Sequence, residues 1–212
     1  MKSVRKKALL FINGDAPKTL PKLLGYDIIA CSDGAFHYLK TLDFPFEKLD
    51  FISGDFDSHK GSDEEIYAEK FIYTPDQDKT DFEKSLEILV EKGVSEVDIY
   101  GGSGGEMDHF LGNLTVAFAF KNKLKIQFYD EFSTYYFIPK DFVLRGVKNQ
   151  MISIYPFPKA EKVVTKGLNW ALNSETLDIT SRIGTRNFAL EDEISITYTS
   201  GDILIFIGQK YL

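Results

Sequence analysis

The segment KFIYTPDQDKTDFEKSLEILVEKGVSEVDIY, residues 70–100, contains in order a strand signal, an acidic loop, a helix signal and a second strand signal. KFIYT (70–74) and VDIY (97–100) are short apolar runs of strand length. TDFEKSLEILVEKG (80–93) predicts a helix: Thr80 and Glu83 have the T-x-x-E spacing of a capping box, and Gly93 provides a C-terminal stop. Phe82, Leu86, Leu89 and Val90 fall on one face at helical spacing, so that face is expected to be core. Strand–helix alternation of this kind argues for a parallel sheet covered on both faces.

The same alternation extends outward. ALLFI (8–12), DIIAC (27–31), LDFIS (49–53) and LKIQFY (124–129) are further strand candidates, and MDHFLGNLTVAFAFKN (107–122) is a second, more apolar helix. After about residue 130 the pattern changes. TYYFI, FVLRG, QMISIYPF, VVTKGLNWAL, DEISITYT and DILIFIG are short and β-rich, with turn signals at Pro139-Lys140-Asp141, Pro156-Phe157-Pro158 and Thr199-Ser200-Gly201-Asp202. The expected fold is α/β plus all-β: a parallel-sheet domain over residues 1–130, then a β-sandwich over 131–212. No repeat or low-complexity tract is present.

The 212 residues are ample for a core, and 43% apolar with 14% aromatic content marks a globular chain. Twenty-five basic against 32 acidic side chains give a net charge of -7, with no basic stripe. Nucleic acid is therefore not an expected partner. A phosphate-bearing ligand would need a metal to approach so acidic a surface. Cys31, the only cysteine, cannot form an internal disulfide and reads as a small buried residue at a strand end. The apolar run near the N-terminus is too short for a signal peptide and ends in Asn-Gly-Asp. Nothing approaches membrane-span length, so a cytoplasmic protein without membrane contact is expected.

Acidic residues follow the strands repeatedly. CSDGAF supplies Asp33, SGDFDS supplies Asp55 and Asp57, TPDQDKTD supplies Asp76, Asp78 and Asp81, and GGSGGEMDH supplies Glu106 and Asp108. Ligands of open α/β sheets bind beyond the carboxyl ends of the strands. Carboxylates gathered there are costly unless a cation neutralises them, and Mg²⁺ with substrate phosphates does so. Each motif alone also fits a plainer role. Asp-x-Asp fits a solvated turn, Asp33-Gly34 a turn before a helix, and Asp81 and Asp108 favourable positions at helix starts. GGSGG fits a loop, or backbone N–H groups for phosphate. His109 and Asn113, four apart on one helix face, fit structural hydrogen bonding, with no metal-type cluster around them. Four acidic loops after four successive strands favour a metal and phosphate site.

SDGA, GDFDS, DQDKTDFEKSL and GGSGGEMDHFLGNL, in this order, resemble the thiamin pyrophosphokinase motifs SDGA, GDFDS, D-x-D-x-T-D and GG-x-GGR-x-DH-x-x-x-N. KGLNWAL and GTRNF are similar to that family's G-L-x-W-x-L and S-N segments. The resemblance spans most of the chain. It implies transfer of a pyrophosphoryl group from ATP to thiamin, giving thiamin diphosphate and AMP. It also implies an ATP- and Mg²⁺-binding catalytic domain, a thiamin-binding β-domain, and a homodimer whose cleft joins one subunit's catalytic domain to the other's β-domain. By motif match, Asp55, Asp57 and Asp81 would hold Mg²⁺, and these three with Asp108 would be catalytic. Asp33, Gly34, Ser58, Gln77, Asp78, Lys79, Thr80, Gly101, Gly102, Gly104 and Gly105 would line the ATP site. Trp170 would stack on thiamin, with Thr185 and Asn187 beside it, although a core role for Trp170 also fits.

Two departures stand out. Glu106 occupies a position usually basic in the family, leaving Lys79, Arg182 and Arg186 as substitute cations. Arg186 interrupts the usual Ser-Asn pair. Three other functions use parts of the same pattern: a pterin-alcohol pyrophosphokinase, a nucleotide-sugar transferase with Asp55-Phe56-Asp57 as its D-x-D, and a non-catalytic small-molecule binder.

Overall fold

A computed structural model describes residues 5–55 and 67–209. The chain divides into two compact units, Met1–Asp130 and Glu131–Leu212.

The first unit contains β1 (Lys6–Phe11), β2 (Ile28–Ser32), α1 (Asp33–Thr41), β3 (Phe51–Gly54) and β4 (Phe71–Tyr73), then α2 (Asp81–Glu91), β5 (Val94–Tyr100), α3 (Met107–Phe120) and β6 (Lys125–Tyr129). The strands run β4-β3-β2-β1-β5-β6 across the sheet, and every neighbouring pair is parallel. β2 and β3 are buried at every residue, as strands covered on both faces must be. The chain lays β2, β3 and β4 outward on one side of β1, then returns to add β5 and β6 on the other. The order therefore reverses at β1, where doubly wound sheets open a ligand crevice at their carboxyl ends.

Helix α2 starts where the sequence predicts. The Thr80 hydroxyl accepts the Glu83 amide N–H at 3.1 Å, and Gly93 adopts a φ of 77° beyond the helix end. Its buried face differs from expectation at one position. Phe82, Ser85, Leu86 and Leu89 are buried, whereas Val90 is exposed. At 100° per residue, Val90 stands roughly 90° round the helix from the middle of that stripe, beyond the reach of the sheet.

The second unit contains β7 (Ser133–Ile138), β8 (Asp141–Arg145), β9 (Met151–Lys166), β10 (Asn173–Asp178), β11 (Gly184–Phe188), β12 (Glu193–Thr197) and β13 (Ser200–Gly208). All pairings are antiparallel. The turn expected at Pro156-Phe157-Pro158 is absent: β9 runs for 16 residues through both prolines. Its first half pairs with β11, its second half with β12 and β10, and β13 runs along it from Ile152 to Glu161. Burial follows 152, 154 and 156, then resumes at 160, 163 and 165. The odd step spans Lys162, whose φ of 53° reverses which face points inward. One strand thereby serves two groups of strands around a single core. Ile152, Ile154, Ala160 and Val163 of β9 pack there with Ile194, Ile196, Ile203 and Ile205. Each such aliphatic side chain contributes about 1.5–3 kcal/mol by leaving water.

Candidate active site

The carboxyl edge of the first sheet is held together by contacts between loops. Asp33, the first residue of α1, is buried, and its Oδ1 accepts the Gly34 N–H at 2.6 Å. Its carboxylate lies directly against Gly54 at the end of β3; a Cβ on Gly54 would collide with it. Glycine at 54 thus lets one strand's acid touch the next strand's end, immediately before Asp55. The Gln77 amide donates to Asp55 Oδ2 at 3.0 Å, bringing in the loop after β4. That loop turns through Asp78, whose N–H donates to Asp76 Oδ1 at 3.0 Å. The N-terminus of α2 is fastened to β3 from behind. Ser85 Oγ donates to the Asp81 carbonyl at 2.7 Å and lies 2.6 Å from Ser53 Oγ, both hydroxyls being buried.

Asp33, Asp55 and Gln77 are accordingly linked at the ends of β2, β3 and β4, and Asp81 joins them through its main-chain carbonyl. Asp57 and Ser58 lie outside the described residues. Thr80 spends its hydroxyl as the helix cap. Lys79 meets both Glu87 carboxylate oxygens, at 2.7 and 2.9 Å, and that hydrogen bonding raises its pKa. The loop's one cation, Lys79, is therefore already engaged with the protein.

The glycine loop forms a second group. Gly14 N–H donates to the Gly101 carbonyl at 2.8 Å, and Asp15 N–H to the Ser103 carbonyl at 2.9 Å. Gly104, with a φ of 77°, packs on the Asp15 carboxylate, where any Cβ would clash. Gly102 accepts from the Asn113 amide at 3.1 Å, the structural role expected of Asn113. Asp108 caps its own turn, with Oδ1 accepting the His109 N–H at 2.9 Å. Contrary to expectation, Glu106, Asp108 and His109 do form a cluster, with donor atoms within 4.8 Å of one another, all exposed. Three strand spacings, roughly 14 Å, separate β3 from β5. Asp55 and Asp108 therefore belong to loops that leave the edge from strands three positions apart, and Asp108 groups with Glu106 and His109 rather than with Asp55. Asn13 and Asp15, at the reversal point, were not among the expected site residues; their signal was the Asn-Gly-Asp run after β1.

In the second unit Trp170 is 57% exposed, which removes the core alternative. Asn187 clamps its main chain: Oδ1 accepts the Trp170 N–H at 3.0 Å and Nδ2 donates to the Trp170 carbonyl at 2.8 Å. The indole tilts against Phe188 with centroids 5.1 Å apart. Arg186 does not displace Asn187. Between Gly184 and Asn187, β11 advances three residues (187 minus 184) while β9 advances two (154 minus 152). The extra residue forms a bulge with Arg186 at a φ of 58°, its N–H on Ser153 Oγ at 2.8 Å. Thr185, Arg186 and Phe188 border a cavity of about 960 Å³ whose other walls include Tyr155 and Phe206 and whose charged lining, among the described residues, is Lys148 and Arg186. Arg182, the remaining candidate cation, lies 3.8 Å from Glu175.

Two family models match the chain: "Thiamin pyrophosphokinase, catalytic domain" over residues 22–128 and "Thiamin pyrophosphokinase, vitamin B1 binding domain" over 137–203. Thiamine pyrophosphokinase 1 of Oryza sativa subsp. japonica is 29% identical over 170 residues, covering 72% of this chain and 64% of that protein. Thiamine pyrophosphokinase of Bacillus subtilis (strain 168) is 26% identical over 214 residues, covering 95% and 98%. A crystal structure of the Bacillus subtilis protein superposes with a TM-score of 0.79 over 96% of this chain and all of that one, at 22% identity. A thiamin pyrophosphokinase family protein from Enterococcus faecalis gives 0.82 over 97% of this chain and 100% of that one, at 21% identity. Both structures share the fold, an N-terminal parallel sheet followed by an antiparallel β-domain. Neither the pterin-alcohol nor the sugar-transfer function is favoured by these matches.

Proposed function

We propose, since the chain belongs to the thiamin pyrophosphokinase family, that its two units divide the family's reaction between them. The enzyme is a thiamin diphosphokinase. The thiamin hydroxyl oxygen bonds to the β-phosphorus of ATP, the bond from that phosphorus to the α-phosphate bridging oxygen breaks, and AMP leaves. The observation that carries the division is the cluster of Asp33, Asp55, Gln77 and Asp81 on one unit and the exposed, main-chain-clamped Trp170 on the other.

Asp55 and Asp81, with Asp57 by motif, would hold Mg²⁺. They offer only hard oxygen donors, Asp33 adds another beside them, and Lys79 and Lys84 are already taken up by protein acceptors. When bound, the ion neutralises phosphate charge. The chain does the rest by position, the main requirement of phosphoryl-type transfer. Gln77 fixes the Asp55 carboxylate. The main-chain N–H groups of the 101–105 loop receive phosphate oxygens, with Gly34, Asp78 and Thr80 around the nucleotide. Asp81 or Asp108 accepts the hydroxyl proton. The Trp170 face receives the thiazolium cation, with Asn187 holding the ring's main chain and Thr185 bordering the adjoining cavity.

The working form is a homodimer in the cytoplasm. A particle of twice the 24.1 kDa chain mass in light scattering is expected; a particle of one chain mass would contradict it. The reaction itself is tested by phosphorus NMR of ATP and thiamin incubated with and without Mg²⁺. AMP and thiamin diphosphate, formed only with Mg²⁺, are expected; ADP as product would refute the assignment.

A further inference from the structure

Lys84 stands within the segment DQDKTDFEKSL but outside its D-x-D-x-T-D motif, and among the described residues its ammonium is the most thoroughly enclosed cation of the acidic edge. Its side chain is 6% exposed, and Nζ reaches three acceptors: Asp81 Oδ1 at 2.7 Å, the Thr74 carbonyl at 2.9 Å and the Asp76 carbonyl at 3.2 Å. Two of the ammonium's three N–H donors thus meet main-chain carbonyls of the loop, and the Asp81 carboxylate stands beside it as an ion pair. The acceptors lie at both ends of the loop joining β4 to α2. Thr74 is itself tied to the end of β3, its N–H donating to the Gly54 carbonyl at 2.9 Å. Between them lies Gln77, which holds Asp55. Asp81 Oδ2 carries no hydrogen bond among the described residues, and the Asp81 side chain is 40% exposed.

We infer that Lys84 is the positioning residue of this site: it closes the 74–81 loop from behind and turns Asp81 so that one oxygen stays on the ammonium and the other is presented outward. The inference rests on the reading of Asp81 as a ligand for the divalent cation. Arginine would not substitute, because a planar fork cannot meet three acceptors arranged about a point charge.

The test is Lys84→Met, which keeps the stem and removes the donors, read in two ways. Backbone hydrogen exchange of residues 76–80 in the Mg²⁺-free protein should accelerate about tenfold or more, the scale of lost hydrogen bonds to a charged group, while exchange in β1 and β5 stays unchanged. The Mg²⁺ concentration for half-maximal turnover should rise by a similar factor. Unchanged exchange, or a loosened loop with an unchanged Mg²⁺ requirement, would overturn the inference. Lys84→Arg should change both readouts in the same direction and by less, and it serves if the Met variant does not fold; wild-type behaviour in both readouts counts equally against the inference. Asp81→Asn separates the two levels. If it leaves the Mg²⁺ requirement unaltered, the ligand reading fails, while exchange in Lys84→Met still decides whether Lys84 fixes the loop.

Discussion

Asp81 and Trp170 are both presented to solvent, and they are held in opposite ways. Asp81 is held by its functional group, with one carboxylate oxygen on a buried ammonium. Trp170 is held by its main chain, with both polar atoms on the Asn187 amide and the indole left open against Phe188. The difference matches what each would recognise in the proposed reaction. A carboxylate that binds a cation acts through oxygen placement over tenths of an ångström, so its rotamer has to be fixed. A ring that receives a flat cation acts through its face, and fixing the backbone suffices. The backbones around them differ to match. Parallel strands buried on both faces end in loops that lock one another, whereas Trp170 stands in the bend between antiparallel strands β9 and β10.

The contrast is broken most sharply at Asp55. Asp55→Ala should lower turnover about 10³-fold or more, the several kcal/mol expected for charge neutralisation at transferring phosphate. Its melting temperature should be unchanged; near-normal turnover would remove the metal role from the first unit. Next comes the shared core of the second unit. Ile154→Ala opens a cavity where strands of both groups meet and should cost about 3 kcal/mol in denaturant unfolding. A loss below 1 kcal/mol would mean the halves of β9 do not share a core. Trp170→Ala should raise the KM for thiamin about tenfold, leaving the KM for ATP within a factor of two, because a cation–ring contact is worth about 1–2 kcal/mol. An equal effect on both substrates would erase the division of labour.

The smallest effect is alkaline. Tyr198 is buried and donates its hydroxyl to the Ile138 carbonyl at 2.6 Å, and burial pushes its pKa up to about 12. A raised pKa favours the protonated phenol in the fold. Its stabilisation is complete below the ordinary value of 10.0 and is lost as pH rises from there through about 12. The stability advantage of the wild type over Tyr198→Phe, about 1 kcal/mol at neutral pH, should shrink across that window. A constant difference from pH 8 to 12 would show that Tyr198 does not titrate with unfolding.

Much of the first unit was legible because its signals are local. Continuous apolar runs fix β2 and β3, Thr80 and Gly93 bound α2, and the acids stand where strand ends had to be. What escaped depends on distant partners. Lys84 reads as a solvated helical lysine, and only the Thr74 and Asp76 carbonyls of the preceding loop bury it. Val90 is apolar with helical spacing, yet the sheet reaches only the other side of α2. β9 reads as two strands because prolines normally end them; its partners on both sides carry it through. β10 and β11 were missed because NSETLD and GTRNF are polar and lack alternation, being held by β9 and not by their own pattern. Asn187 was expected beside thiamin by motif alone; its hold on the Trp170 main chain, next to a bulge at Arg186, depends on partners the sequence does not show.

Trp170 is the chain's only tryptophan, so its fluorescence reports on the second unit alone. Thiamin titrated into wild type and into Asp55→Asn should quench that emission in both, with dissociation constants within about fivefold (under 1 kcal/mol) of each other, although turnover by the variant should be greatly reduced. Emission that does not respond to thiamin in the wild type would contradict the assignment of acceptor binding to the second unit and phosphate chemistry to the first.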